Sequence, residues 1–469
     1  MRITVRRTTS QIGITFLLAL ALTGCMVGPN YKRPAVDTPP TFRGAPADTS
    51  TATSFGDQKW PDVFQDPQLQ KLIREALEKN YDVRIAATRI LQAQAQLTIT
   101  HGDELPSAAV LASAGASRTA GSKLFGAVTT SANELAIGFQ WNLDFWGKYR
   151  RATEAARDQL LASKWAQQEV NMTTVSGVAS AYYTLREQDL QLQISRETLT
   201  SNQDSLRLTQ LLSDHGRTSL LDVRQAEQLV YGASAAIPAL EKQIEQQENL
   251  ISILVGENPA DVARGLDLTA QPHTPEVPAG LPSSLLERRP DIRDVEAQLM
   301  AANAQIGVAK AAYYPAITLT GEGGFQSVAL SNLFTGPAGL WSFAGQLAQP
   351  LYAGGVLRGA VKLSEAQKEQ LALTYQQTIQ QAFREVSDAL IAYAKDQEFR
   401  KQQELLTNAA KDANRLSNLR YKGGAASYLE VLDADTRQYA AELTLAQAQL
   451  NEMLDYVQLY HALGGGWDK

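Results

Sequence analysis

The sequence predicts a mixed α+β membrane protein that consists of two tandem structural repeats. Three observations lead to this prediction. The chain matches itself after a shift that lays Gly216 on Gly424, it contains two very long stretches without proline, and several segments alternate apolar and polar side chains. Two similar units of helix and strand commonly repeat around an axis or enclose a space.

The internal repeat is clearest around two glycine-containing turns. Residues 216–223 align with residues 424–431, and at the same shift Arg150 falls on Arg358. A proline-rich segment separates the two matching halves. Each half is predicted to hold a helix, two strands and a long helix hairpin, with these bounds: repeat 1, residues 58–262; linker, residues 263–281; repeat 2, residues 282–469 with a C-terminal tail.

Residues 1–24 are predicted to be an export signal. A basic start precedes an apolar run, residues 12–22, which is too short to cross a bilayer as a helix. The run ends in Leu-Thr-Gly-Cys, a sequence typical of a bacterial lipobox, so cleavage before Cys25 and lipidation of its thiol are expected. Ordinary cleavage that leaves Cys25 unmodified is the alternative. Residues 25–57 are rich in proline and are predicted to form a lipidated, extended tether.

The cysteine and charge content exclude several classes of protein. Cys25 is the only cysteine, which excludes a disulfide within the chain and argues against a cysteine-based metal site or nucleophile. The chain has 43 Lys and Arg against 49 Asp and Glu. No nucleic-acid partner is expected, because such proteins need a basic surface. Met26 follows Cys25. An aspartate at this position would resemble an inner-membrane retention signal, so its absence favours the outer membrane.

Two helices of unusual length are predicted over residues 150–213 and 359–420. Neither stretch contains proline, and both are rich in Ala, Gln and Leu. Their length far exceeds that of an average globular helix and is typical of coiled coils or of helical walls that are wetted on two faces. A plain coiled-coil rod remains an alternative on composition alone.

Each long helix is predicted to turn at a glycine and to return as a second helix. Gly216 ends the first stretch, and Gly423 with Gly424 ends the second. A capping box of the form S-x-x-D/E is predicted to start each return helix. Its two members are Ser219 with Asp222, and Ser427 with Glu430.

Four segments are predicted to be strands. Residues 134–145 alternate strictly, residues 316–326 and 340–351 do so more weakly, and residues 107–117 consist mostly of small residues. One apolar, aromatic-rich face and one polar face suit a strand of a transmembrane β-barrel. A soluble, half-buried sheet would show the same alternation. The predicted lipid-facing side chains are Leu135, Ile137, Phe139, Trp141, Leu143, Trp341 and Phe343.

Four strands cannot close a barrel. An open strand edge in lipid leaves backbone N–H and C=O groups unpaired, at several kcal/mol each. Several copies of the chain must therefore contribute strands to one wall. Two copies would give eight strands, whose interior is nearly filled by side chains, and three would give twelve, which leave room for an aqueous lumen. The residues do not choose between these numbers, although a conduit needs the larger one.

Short motifs along the whole chain resemble the TolC-like outer-membrane efflux factors, and among them the lipidated OprM-type proteins. The motifs lie between residues 25 and 467 and together are specific. They are Cys25 with residues 28–34, residues 64–69 with Leu72 and Ile73, residues 80–84, 141–148, 288–292, 314–315, 349–352 with Gly354 and Gly355, and the ending 459–467.

This resemblance implies the remaining features of the fold and the function. It implies a homotrimer with a 12-stranded outer-membrane β-barrel that a long periplasmic α-helical barrel continues. The protein would be a passive duct, without enzymatic activity or cofactor, that is embedded in outer-membrane lipid and exports drugs or other small molecules. Its implied partners are a periplasmic adaptor (a membrane fusion protein) and a proton-driven inner-membrane pump of the RND class.

The resemblance also implies a gate at the periplasmic helix tips, residues 212–222 and 419–430. Tyr421 and Asp222 occupy the places of a tyrosine and an aspartate that take part in the TolC gate, whereas Ala426 stands where TolC has an arginine. For Asp222 a helix cap is an equally good explanation. For Arg420 and Lys422 the alternative is a helix C-terminus that favours cations. The full set of gate candidates is Asp214, Arg217, Asp222, Arg420, Tyr421 and Lys422.

Two other functions remain open at this point. A duct of the same fold could serve a protein-secretion or metal-efflux system, which changes the cargo and the pump. A periplasmic coiled-coil lipoprotein scaffold without a pore is the alternative of another class, but it has no use for a lipid-like aromatic face on its strands. No motif of an enzyme active site is found in the sequence.

Overall fold

The computed structural model describes residues 26–45, 54–121, 126–273 and 277–467 of the 469-residue chain. The predicted export signal and the predicted lipidation site Cys25 lie outside these ranges. Within them, no helix combines the length and the apolar character that are needed to cross a lipid bilayer.

The same order of elements occurs twice along the chain. The first half begins with two short helices, Phe55–Asp57 and Trp60–Val63, and two longer ones, Pro67–Lys79 and Tyr81–Gly102. Strands β1 (Ser107–Thr119) and β2 (Val128–Leu143) follow. The first long helix (Lys148–Asp214) and the first return helix (Leu220–Val255) complete this half. After a helical turn at Leu268–Ala270, the second half begins with helices Pro282–Arg288 and Pro290–Ala311. Strands β3 (Ala316–Ser327) and β4 (Gly339–Ala348) follow, separated by the helical turns Leu330–Asn332 and Gly336–Ala338. The second long helix (Val356–Lys422) and the second return helix (Tyr428–Ala462) complete this half.

The two proline-free stretches are each one continuous helix. Both helices contain 67 residues and extend one to three residues beyond each predicted bound. The four predicted strands are also present, and β2 begins earlier and ends earlier than the alternation predicted. Periodicity and the absence of proline were therefore sufficient to locate the elements.

Only one of the two predicted capping boxes forms. The Asp222 N–H donates to Ser219 Oγ at 3.2 Å, and the Ser219 N–H donates to the Asp222 carboxylate at 3.1 Å. The second prediction is wrong, because Ser427 makes no side-chain cap. The carboxylate of Glu430 instead lies 3.6 Å from the guanidinium of Arg420, which lies in the last turn of the preceding helix.

Contacts divide the chain into two compact units, and each unit contains parts of both halves. The first unit comprises the described parts of residues 1–35, 89–164 and 294–376 and contains all four strands. The second comprises the described parts of residues 36–88, 165–293 and 377–469 and contains both helix tips.

The first unit is organised by an antiparallel sheet in the order β1-β2-β3-β4. Its central pair, β2 with β3, joins the two halves of the sequence, with Leu143 opposite Ile317 and Asn133 opposite Ser327. Each of the outer strands, β1 and β4, has one edge without a partner strand among the described residues.

In the first unit, the described start of the chain is extended and lies against helices. Val27 N–H donates to the Trp146 carbonyl at 3.0 Å, and Arg33 Nη2 donates to Glu296 at 2.6 Å. Gly28 lies so close to Gly307 that a Cβ added at Gly28 would be 2.5 Å from the Gly307 Cα. Glycine at position 28 is thus required both by this close approach and by its φ of +104°.

The second unit contains a buried carboxylate, Asp66, that has several hydrogen-bond partners. Asp66 Oδ1 caps the helix Pro67–Lys79 by accepting from the Gln68 N–H at 2.8 Å. Its other oxygen, Oδ2, accepts from Tyr182 Oη at 3.0 Å, from the Leu266 N–H at 2.9 Å and from Gln271 Nε2 at 2.9 Å. One side chain thereby joins a short helix, the first long helix and the linker.

Candidate functional site

The strand register brings the predicted lipid-facing side chains onto one face of the sheet. Phe139 lies opposite Gly321, which in turn lies opposite Phe343, and Ile137 and Trp341 are related in the same way through Gly323. Directly opposed residues of an antiparallel sheet project to the same side. All seven predicted residues share this side: Leu135, Ile137, Phe139, Trp141, Leu143, Trp341 and Phe343.

The two faces of the sheet differ in chemistry. On the apolar face, Trp341 is 84% exposed and Phe343 63% exposed in the single chain. Exposed aromatic surface of this kind marks a face that contacts another apolar surface. The opposite face carries Glu134, Gln140, Asn142, Thr318, Glu322, Ser342 and Gln346. One side of the sheet is therefore suited to lipid and the other to water.

Gly321 makes room for the aromatic rings on the apolar face. A Cβ added at Gly321 would lie 1.9 Å from a ring carbon of Phe139. The Phe139 and Phe343 rings approach each other across this glycine, with centroids 6.4 Å apart. The glycine therefore lets two strands on either side of β3 make a direct aromatic contact.

Gly321→Val is expected to lower the free energy of unfolding by about 1–2 kcal/mol, because the added methyl groups displace the Phe139 ring. The measurement is the midpoint of chemical denaturation of the purified protein. Gly323→Val is the matched control, since a Cβ at Gly323 meets nothing within 4 Å. Equal denaturation midpoints for the two variants would contradict the role given to Gly321.

Aromatic side chains lie where the strands meet the helices. Trp146 stacks on Tyr314 with centroids 4.8 Å apart, and its Nε1 donates to the Pro315 carbonyl at 2.9 Å. Trp141 Nε1 donates to the Glu104 carbonyl at 3.0 Å. Trp and Tyr are enriched at membrane–water interfaces because each has an apolar body and a polar end. The alternation had singled out Trp141 but not Trp146 or Tyr314.

In the second unit, the two helix tips have the same backbone geometry. Each turn passes through a glycine in the left-handed region, with φ of +69° at Gly216 and +72° at Gly424. The next residue, Arg217 or Ala425, donates its N–H at 2.8 Å to the carbonyl five residues earlier. This pattern is a Schellman motif, which satisfies the carbonyls at a helix end.

At the first tip, the Asp222 side chain forms part of the cap at the start of the first return helix. Its carboxylate accepts from the Thr218 hydroxyl and from the Ser219 N–H. Partial burial would raise the pKa of Asp222, but the hydrogen bonds from Thr218 and Ser219 outweigh this effect and lower the pKa. Asp222 is therefore ionised at neutral pH and stabilises the start of the first return helix.

Tyr421 contacts the second tip through its ring. Its centroid lies 5.4 Å from that of Tyr428 at an interplanar angle of 64°. Tyr428 is 2% exposed and packs with Ala226 and Val431. The Tyr421 hydroxyl is buried and has no hydrogen-bond partner among the residues that the structure describes. Tyr421 therefore packs against a cluster that includes Ala226 of the first return helix, and Asp222 caps the same helix. No hydrogen bond between these two side chains is found among the described residues.

The charged gate candidates are mostly in solvent. Arg420 pairs with Glu430 and donates to the Ala425 carbonyl at 3.3 Å. Asp214, Arg217 and Lys422 are exposed, and none forms a side-chain ion pair with another described residue. These three residues are available for contacts outside the single chain.

Two features of the second helix hairpin were missed in the sequence. Tyr428 is the first residue of the second return helix, and its helical spacing to Val431 could have identified it as a core position. Farther along the hairpin, Asn414 Nδ2 donates to the buried Asp435 at 3.2 Å. No local pattern distinguishes this asparagine from the other polar residues of the long helix.

Comparison with known proteins assigns this architecture. A family model described as outer membrane efflux protein matches residues 72–257 and 281–465. The chain is 36% identical over 463 residues to the probable efflux pump outer membrane protein TtgC of Pseudomonas putida, and the match covers 96% of each chain. It is 33% identical over 458 residues to the cation efflux system protein CusC of Escherichia coli O6:H1, covering 97% of this chain and 99% of CusC.

Among solved structures, the chain resembles the open state of the Neisseria gonorrhoeae MtrE outer membrane channel. The TM-score is 0.86 at 32% identity, and the match covers 94% of this chain and 98% of MtrE. The family match extends over both halves of the chain, and the relatives match along nearly their whole length. The chain therefore belongs to the outer membrane efflux protein family and is an outer-membrane channel of an efflux pump that extends into the periplasm.

Proposed function

We propose that three copies of the chain form one passive duct, with a 12-stranded barrel in the outer membrane and a helical barrel in the periplasm. The observation that supports this proposal is the four-stranded sheet, which has one apolar face and two unpaired outer edges among the described residues. Those edges need partner strands in lipid. Three sheets give twelve strands, a number that leaves an aqueous lumen, whereas the interior of an eight-stranded barrel is nearly filled.

We further propose that the chain is divided as its internal repeat indicates. Residues 1–24 are removed as an export signal, and Cys25 carries the lipid anchor at the start of a tether that ends at residue 57. Repeats 58–262 and 282–469 flank the linker 263–281. The recurrence of the same element order, with 67 residues in each long helix, supports two tandem structural repeats.

The proposed partners are a periplasmic adaptor and an inner-membrane pump of the RND class, and the proposed cargo is drugs or other small molecules. The similarity to TtgC, an efflux pump protein, supports this cargo. The similarity to CusC, a cation efflux protein, favours metal cations as a second candidate. Deletion of the gene followed by growth on a panel of antibiotics, solvents and metal salts distinguishes the two, because only one class should become more toxic.

The duct itself is tested with the purified full-length protein. We expect a heat-resistant oligomer of three subunits on gels, and swelling of liposomes that contain it when small sugars are added outside. A monomer that leaves liposomes sealed would contradict the proposal and would favour a scaffold without a pore.

Tyr421→Ala and Asp222→Ala are each expected to raise single-channel conductance in planar bilayers. Each substitution removes a contact worth about 1 kcal/mol per subunit, the ring contact with Tyr428 or the helix cap. Over three subunits this shifts the balance of closed and open tips on the order of 100-fold. Asp433→Ala is the control, because Asp433 is exposed and only pairs with Arg437 along the same helix. Wild-type conductance in both tip variants would exclude these residues from the gate.

A further inference from the structure

A cavity of about 500 Å³ lies in the first unit, where the strands give way to helices. It lies beside the end of helix Tyr81–Gly102, which precedes β1, and the start of the first long helix, which follows β2. The extended start of the chain supplies a further wall through Met26 and Asn30. The cavity therefore has parts of three separate segments around it.

Three arginines of the first long helix line this cavity: Arg150, Arg151 and Arg157. Its two carboxylates already have partners, because Glu154 pairs with Arg151 at 2.7 Å and Glu104 accepts from the Thr153 hydroxyl. The lining thus carries three guanidinium groups against two carboxylates, in a chain whose formal net charge is −6. Such a concentration of guanidinium groups suits a phosphate, which they can bind by paired hydrogen bonds.

The arginines differ in how far they are already engaged. Arg151 is buried and holds the start of the chain, since it donates to the Asn30 side chain at 2.8 Å and to the Val27 carbonyl at 3.3 Å. Arg150 pairs with the carboxylate of Asp144 at 3.4 Å and donates to its backbone carbonyl at 3.0 Å. Arg157 is exposed and forms no ion pair or hydrogen bond with another described residue. Its guanidinium is the group that a ligand can engage without breaking a contact.

The location of the cavity favours a lipid over a soluble anion. It is fixed next to Met26, the residue that follows Cys25, and the Trp146–Tyr314 stack lies at the same strand–helix junction. If the strands span the membrane, the periplasmic ends of β1 and β2 lie at the depth of the phospholipid headgroups. Phosphates are concentrated there, whereas the overall negative charge of the chain repels free anions.

We propose that this cavity binds the headgroup phosphate of an anionic phospholipid in the periplasmic leaflet of the outer membrane, with Arg157 as the main contact. The inference rests on the proposed function, because it needs the strands to cross the membrane. A lipid held beside the anchored start of the chain would fix the depth of each subunit at the strand–helix junction.

The test uses the purified full-length oligomer in detergent and native mass spectrometry. The probes are a phosphatidylglycerol and a phosphatidylcholine with the same acyl chains. The wild-type protein is expected to retain phosphatidylglycerol in preference to phosphatidylcholine. Arg157→Gln is expected to weaken phosphatidylglycerol binding about tenfold, the effect of losing one charge-assisted hydrogen-bonding partner. Arg207→Gln is the control, because Arg207 is an exposed arginine of the same helix that lies outside the cavity.

Three results would overturn the inference. The wild-type protein could show no preference for the anionic lipid, or Arg157→Gln could bind it as tightly as the control. The third result is displacement of phosphatidylglycerol by soluble glycerol 3-phosphate at the same concentration. That result would assign the cavity to a free phosphate ester. Conductance of the same wild-type preparation separates the two proposals, because a conducting oligomer without lipid preference contradicts only this inference.

Discussion

Phe343→Arg is expected to eliminate the heat-resistant oligomer from the outer-membrane fraction. Phe343 is 63% exposed on the apolar face of β4, and its ring meets that of Phe139. An arginine on the lipid face of a barrel costs about 2–4 kcal/mol near the bilayer midplane. The proposed trimer would carry the substitution three times, so the cost per assembly is about 6–12 kcal/mol, comparable to the whole stability of a typical domain. Membrane fractionation followed by an unheated gel measures the outcome.

Ser342→Arg is the matched control for this experiment. Ser342 is the neighbouring residue of the same strand and lies opposite Glu322 on the polar face. An arginine there would project into water beside a carboxylate, so we expect a normal amount of oligomer in the outer membrane. If both variants assemble equally well, the apolar face does not contact lipid, and the assignment of the seven lipid-facing residues fails.

Asp66→Ala is expected to destabilise the second unit by about 3–5 kcal/mol, because it leaves several buried donors without an acceptor. Asp66 is fully buried, and Tyr182, Leu266 and Gln271 all donate to one of its oxygens. Chemical denaturation of the purified protein, followed by circular dichroism, measures the change. Asp62→Ala is the control, since Asp62 is an exposed carboxylate only four residues away. Similar denaturation midpoints for both variants would contradict a central role for Asp66.

The contribution of Asp66 should also depend on pH. Burial would raise the pKa of Asp66, but the hydrogen bonds from Gln271, Gln68, Leu266 and Tyr182 outweigh burial and lower it. A carboxyl with a lowered pKa in the folded state contributes its stability above the unfolded pKa of about 4. That contribution is lost as the pH falls through the folded pKa. The difference in stability between wild type and Asp66→Ala should therefore be constant near neutral pH and shrink below about pH 4.

The strands and long helices were predicted well because their signals are local. Residues 134–145 alternate with a period of two, and this period fixes which side chains share a face. The long helices could be predicted from the absence of proline within each stretch and from the glycine at which each one turns. Such patterns depend on the geometry of one segment and require no knowledge of its neighbours.

The contacts between segments were predicted poorly, and Glu430 illustrates the reason. Its position three residues after Ser427 fits a capping box, but its carboxylate lies near Arg420 across the turn. Asp66 is a stronger example, because its partners Tyr182, Leu266 and Gln271 are 116, 200 and 205 residues away. A spacing rule cannot identify such partners, since they come together only when distant segments pack.

The residue pattern alone located the long helices and strands and the apolar and polar faces of the strands, because backbone periodicity follows from local geometry. The two tandem repeats and the assembly of several copies, which the cost of unpaired strand edges in lipid requires, remain predictions from the sequence. Packing of distant segments was needed for the rest. It paired β2 with β3, so that one sheet joins both halves, and it brought Arg150, Arg151 and Arg157 together with Met26 around one cavity. These juxtapositions depend on loop closure and side-chain packing over long sequence separations, which no single stretch of residues encodes.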